Sequence, residues 1–152
     1  VAETLLPHAA VALVHRIEGE LGAERAAAAY ESLLRERVPS NGGSLPVLDI
    51  VLLGIGEDGH TASLFPHSPA LDARGVVCVA VHDAAKAPPD RVSLSLEVLR
   101  GARSTILLAS GSAKAAALAR ALAEPDPAVP ASLLARDRLT VIADTEALAE
   151  AV

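Results

Sequence analysis

Asp58 and His60 stand one glycine apart in the stretch "LDIVLLGIGEDGHTASLFPHSP" (48–69). At that spacing both side chains can converge on one pocket. A carboxylate beside an imidazole orients the ring, fixes its tautomer and raises its basicity, which is what a general base requires. The other histidines, His8, His15, His67 and His82, lack such a setting and read as surface or structural residues. A metal site is disfavoured, because no second His or Cys falls at ligand spacing from His60.

The same stretch places Gly54, Gly56 and Gly59 in the G-x-G-x-x-G spacing of a dinucleotide-binding turn, directly after an apolar run. An acid, Asp83, follows the next apolar run, where a ribose-binding carboxylate could sit. Two features argue against a nucleotide. Glu57 and Asp58 lie inside the loop and would repel phosphates. Pro66 then allows about one turn where the motif needs a long helix. The glycines more plausibly serve the Asp58–His60 pair.

A second loop complements the first. In "LLASGSAKAAALA" a strand runs through Ser110, Gly111 and Ser112 into a helix. Lys114 falls in that helix's first turn, where a cation is unfavourable for the dipole unless an anion shares the site. A phosphate would explain it; so would a plain exposed lysine.

These loops need elements to hold them. Residues 19–38 place Ala26, Tyr30, Leu33 or Leu34 and Val38 at helical spacing, predicting an amphipathic helix that ends at the breaker run "PSNGGSLP". The short apolar runs 47–53, 76–81 and 104–110 predict strands buried on both faces. Residues 91–99 alternate Val92, Leu94 and Leu96 with Ser93 and Ser95, predicting a half-buried strand that moves into a turn. An Ala-rich helix is expected over 113–124, a last strand over 139–144 and a closing helix over 145–152. Strands alternating with helices imply an α/β layered fold with a mostly parallel sheet, whose binding sites gather at the carboxyl ends of the strands. The loops at Gly54 and Gly111 both leave such ends.

Composition narrows the classes further. The 152 residues suffice for a single domain, 1–152, and with 51% apolar residues but one Tyr and one Phe its core must be aliphatic. A net charge of −6 argues against a nucleic-acid surface. No apolar run approaches the roughly 18 to 20 residues needed to cross a bilayer. The single Cys78, inside "GVVCVAV", reads as a buried, inert thiol, and with no signal peptide visible a cytoplasmic location is expected.

The residues 53–66, "LGIGEDGHTASLFP", resemble the signature of the 6-phosphogluconolactonases. The related glucosamine-6-phosphate isomerases/deaminases share the G-x-G-x-D-G-H core but continue with Ile-Ala-Phe-Asn, so the Thr-Ala-Ser-Leu-Phe-Pro here favours the lactonase branch. In order, "AAAAYESLL", "APPDRVSLSLEVLRGAR", "ASGSAKAAAL" and "VPASLL" also resemble family segments, with Ser93 and Ser95 where Thr is usual. The family's glycine-rich sugar-phosphate loop and Gly-Asp-Glu-Arg motif have no match in residues 1–47, so the resemblance implies an N-terminally truncated domain with an unpaired sheet edge.

The resemblance implies a Rossmann-like fold of the sugar-phosphate isomerase/CoA-transferase type and hydrolysis of 6-phosphogluconolactone in the pentose-phosphate pathway. It implies His60 as base and then acid, with Asp58 orienting it or shaping the loop. Gly54, Gly56 and Gly59 would admit the sugar and direct N–H groups at the oxyanion. Lys114, Gly111 and Ser112 would hold the 6-phosphate, and Arg91 either that phosphate or a structural carboxylate. No metal or cofactor is implied. The expected partner is a small-molecule sugar-phosphate lactone, not a membrane or nucleic acid, with a monomer as the working expectation. A deaminase-like activity and an inactive sugar-phosphate-binding fragment are the alternatives.

Overall fold

The computed structural model describes residues 13–82, 84 and 86–151. His8, Asp83 and Val152 lie outside them.

Helix α1 (Ala23–Arg37) follows a 3-10 turn at Gly19–Leu21 and carries Glu24 in its first turn and Arg35 and Arg37 in its last, as the helix dipole favours. It stops at Val38, whose extended backbone precedes Pro39. Strands β1 (Ile50–Gly54), β4 (Ser104–Ala109) and β5 (Leu139–Ala143) form a parallel sheet in the order β1-β4-β5. Helix α3 (Ala115–Leu122) makes the crossover between β4 and β5. Its Ala117, Leu118 and Ala121 pack in one cluster with Val51, Leu53, Leu107 and Ala109. The register pairs Gly54 with Leu108 and Ala109 with Ala143, so the chain leaves β1 and β4 at the same end of the sheet. That end carries both chemically suggestive loops.

Strands β2 (Cys78–Val81) and β3 (Arg91–Leu94) do not join this sheet. They pair antiparallel as a separate ribbon, on which α1 packs Ala27 and Leu34 against Val77 and Cys78. A short helix α2 (Leu96–Gly101) then replaces the second half of the strand expected over 91–99, because Ser95 accepts a hydrogen bond from the Val98 N–H and caps it.

The alternation in β3 is also inverted relative to expectation. Ser93 and Ser95 are the buried residues, while Val92 and Leu94 are half-buried against α1's cluster. The hydroxyls meet their needs internally: Ser95 donates to the Val76 carbonyl at 2.7 Å, and Ser93 accepts from the Ser63 N–H at 3.2 Å. A buried hydroxyl with a backbone partner behaves as a structural tie, which apolar patterning does not reveal.

Two further expectations change. The parallel strands are buried on one face only: Ile50, Leu52, Leu108 and Ile142 are exposed, though apolar. A parallel sheet is normally covered on both faces, and among the described residues one layer is lacking. The closing segment 145–151 is a series of hydrogen-bonded turns rather than a helix. β1 pairs with β4 alone, leaving its outer edge open among the described residues. Among the described residues no helix is long and apolar enough to cross a membrane.

Candidate functional site

The first loop is folded back on itself. The Gly56 N–H donates to the His60 carbonyl at 2.8 Å, and the Gly59 N–H to the Gly56 carbonyl at 3.0 Å. The Thr61 hydroxyl donates to the Gly54 carbonyl at 2.9 Å, tying the loop's exit to the end of β1. From outside, the Ala131 N–H donates to the Gly59 carbonyl at 3.0 Å, and Ser93 holds the turn after His60 through Ser63.

Two glycines are required by this geometry. Gly59 has φ +84°, a conformation open to glycine, and a Cβ there would lie 2.7 Å from Val129 Cγ1. A Cβ on Gly56 would overlap the His60 ring and come within 2.5 Å of Asp58 Oδ1. The imidazole therefore lies over bare Gly56 backbone. Around Gly54 there is open space, so nothing within the chain demands a glycine at that position.

His60 is thereby oriented on several sides. Its Nδ1 lies 2.5 Å from Asp58 Oδ1, which also accepts the His60 backbone N–H at 3.2 Å. Phe65 packs against the ring with centroids 4.5 Å apart and planes tilted by 36°. Burial would raise the Asp58 carboxyl, but the hydrogen bonds from the His60 ring and backbone, with the attraction of the imidazole, hold it below the ordinary range. With an ionised acceptor at Nδ1, the proton belongs on that nitrogen and a lone pair on Nε2. Nε2 has no partner among the described residues.

The second loop is held differently. Asp144, just after β5, accepts from the Ser110 hydroxyl at 2.6 Å, from the Gly111 N–H at 2.9 and 3.1 Å, and from the Ala147 N–H at 2.8 Å. The Ser110 hydroxyl and these amides hold the Asp144 carboxyl below the ordinary range. Ser112–Lys114 form one 3-10 turn leading into α3. Lys114 reaches across to the first loop, its Nζ 3.8 Å from Glu57 Oε1.

The structure thus brings Asp58, His60, Gly56 and Gly59 into one unit and sets Lys114 beside it. It alters three readings. The N–H groups of Gly56 and Gly59 are engaged within the loop and do not face an oxyanion. The Gly111 N–H is engaged by Asp144, which leaves Ser112 and Lys114 as the groups of that loop open to an anion. Among the described residues Arg91 meets neither a carboxylate nor the second loop: its guanidinium donates to the carbonyls of Lys86, Ala87 and Pro88 and stands 5.5 Å above the Phe65 ring.

Sequence reasoning missed Phe65, Val129, Ala131 and Asp144 as supports, and the Glu57–Lys114 contact. Phe65 carried a usable signal, being the single phenylalanine of the chain. The others act across long sequence separations. His82 is a surface group between Asp90 and Glu24, 2.7 Å from each, and Cys78 is buried, its thiol pushed up to about 12 by burial first and by the Glu31 charge second. A cavity of about 560 Å³ lies at the end of α1, lined by Arg37, Pro39, Ser44 and Pro46 among others. It contains none of the site residues, and the chemistry of the Asp58–His60 loop outweighs its size. Among the described residues no group of three or more His, Cys, Asp and Glu side chains is placed to hold a metal ion.

Residues 1–143 match the model of the family described as glucosamine-6-phosphate isomerases/6-phosphogluconolactonase. The 6-phosphogluconolactonases of Rattus norvegicus and Homo sapiens are 42% and 44% identical, each over 78% of this chain. This chain spans 45% of the length of each, so it corresponds to less than half of those relatives. The solved 6-phosphogluconolactonase of Trypanosoma brucei superposes with a TM-score of 0.72 at 33% identity, over 86% of this chain and 54% of that one. On the family match, the sequence identities and the shared fold, the chain belongs to the glucosamine-6-phosphate isomerase/6-phosphogluconolactonase family.

Proposed function

We propose that the chain carries the hydrolytic site of a 6-phosphogluconolactonase, opening 6-phosphogluconolactone to 6-phosphogluconate. One observation carries the reading: the Asp58 Oδ1–His60 Nδ1 hydrogen bond of 2.5 Å, with Nε2 unpartnered among the described residues. The relatives at 42–44% identity bear the lactonase name, which favours this reading over a deaminase-like one.

In the proposed reaction Nε2 takes a proton from a water as its oxygen attacks the lactone carbonyl. The tetrahedral oxyanion then collapses, the bond to the ring oxygen breaks, and the imidazolium returns the proton to that oxygen. Asp58 keeps the ring in the required tautomer and orientation. Lys114 with Ser112 would receive the 6-phosphate. Gly54, with open space around it, leaves room for the sugar. Arg91 has a positioning role through Phe65. No step calls for a metal or an organic cofactor.

The test is lactone hydrolysis by the chain, corrected for spontaneous opening. His60→Gln should lower the rate by roughly 100- to 10,000-fold, the range of general base catalysis. Near-normal turnover in that variant overturns the reading. Ammonia release from glucosamine 6-phosphate would favour the deaminase alternative.

A further inference from the structure

We propose that Glu57 is a built-in counter-ion of Lys114 that a substrate phosphate must displace, so that Glu57 sets how tightly the site holds phosphorylated ligands. This rests on the reading of Lys114 as the phosphate ligand.

The two residues belong to different loops and meet only because β1 and β4 end side by side. Their separation of 3.8 Å is within ion-pair reach but beyond hydrogen-bond length. The attraction is therefore Coulombic and has no fixed geometry to be broken. Neither charge makes another ion pair among the described residues.

The partners differ in how they are held. The Lys114 side chain is 24% exposed and the Glu57 side chain 61%. The cation is the anchored member, and the carboxylate can turn into water when an anion arrives. The neighbouring acids Asp58 and Asp144 are engaged, the first by His60 and the second by Ser110 and Gly111. Glu57 is exposed and makes no hydrogen bond among the described residues, which is the condition of an exchangeable counter-ion. A phosphate dianion carries more charge than a carboxylate and wins the exchange, at the expense of part of its affinity. A ligand without a phosphate makes no such exchange and is indifferent to Glu57.

The experiment is a four-way comparison on the full chain: wild type, Glu57→Gln, Lys114→Gln and the double variant. Binding of inorganic phosphate, 6-phosphogluconate and gluconate is followed by NMR titration. Glu57→Gln is expected to tighten inorganic phosphate and 6-phosphogluconate by roughly two- to fivefold, the scale of a half-exposed charge pair, and to leave gluconate unchanged. The gain should vanish in the Lys114→Gln background. Weaker phosphate binding in Lys114→Gln with none of the expected gain in Glu57→Gln overturns the counter-ion role while sparing the phosphate reading. Equal tightening of gluconate overturns it too, by making the effect general repulsion. Phosphate binding untouched by Lys114→Gln defeats both.

Discussion

The two loops at the carboxyl end of the parallel sheet are held in opposite ways. The His60 loop is braced from within, by Gly56 to His60, Gly59 to Gly56 and Thr61 to Gly54, and from outside by Ala131, Ser93 and Phe65. The Gly111 loop has one internal bond, from the Lys114 N–H to the Gly111 carbonyl, and otherwise depends on Asp144, which gathers the Ser110 hydroxyl and the Gly111 and Ala147 amides. The difference matches what the proposed function asks of each loop. A general base is effective only when its lone pair is aimed within a narrow angle, so many constraints are useful. A cation that receives a phosphate acts through distance more than direction, and one tether suffices.

This contrast predicts different symptoms. The largest effect is expected at Gly56, where an added methyl group overlaps the imidazole. Gly56→Ala should lower kcat for lactone hydrolysis by roughly 100-fold, the cost of about an ångström of misplacement. Steady-state kinetics with an unaltered circular dichroism spectrum would check it. Gly59→Ala adds both backbone strain and a contact with Val129. It should cost about 1–3 kcal/mol of stability, read as a lower urea midpoint at constant slope. In the second loop, Asp144→Asn should raise KM a few-fold and leave kcat nearly unchanged, because the cation shifts while the base stays aimed. A kcat loss as large as that of Gly56→Ala would erase the distinction between the loops.

The smallest effect concerns pH. Asp58 and Asp144 both have carboxyls held below the ordinary range in the folded chain. Their stabilising contribution is therefore complete above the unfolded-state value, about pH 4, and is lost as pH falls through the depressed folded-state values. Thermal midpoints should decline on acidification below about pH 4, and less steeply in Asp144→Asn. An identical slope would show that Asp144 contributes no such linkage.

Much of the fold was legible because the signals were local. The periodicity of 19–38 marked α1, and the runs before Gly54 and Ser110 marked β1 and β4. The Asp58–His60 pair was legible for the same reason, since two residues one glycine apart are close in any compact loop. The family resemblance added the reaction, which spacing alone does not supply. What failed was the placement of particular segments. Residues 76–81 read as another member of the parallel sheet and instead form an antiparallel ribbon with β3 under α1.

The amino-acid sequence by itself determined the types of the main elements, the order in which they follow, and the closeness of Asp58 and His60, because hydrophobic period, breakers and neighbouring residues are properties of short segments. Only the tertiary structure decided that one face of the β1-β4-β5 sheet is left bare by the described residues, that Ser93 and Ser95 point inward, that Gly111 donates to Asp144, and that Glu57 lies beside Lys114. Those outcomes depend on which layers pack together and which loop ends meet. Long-range packing sets both, and no short stretch of the sequence encodes it.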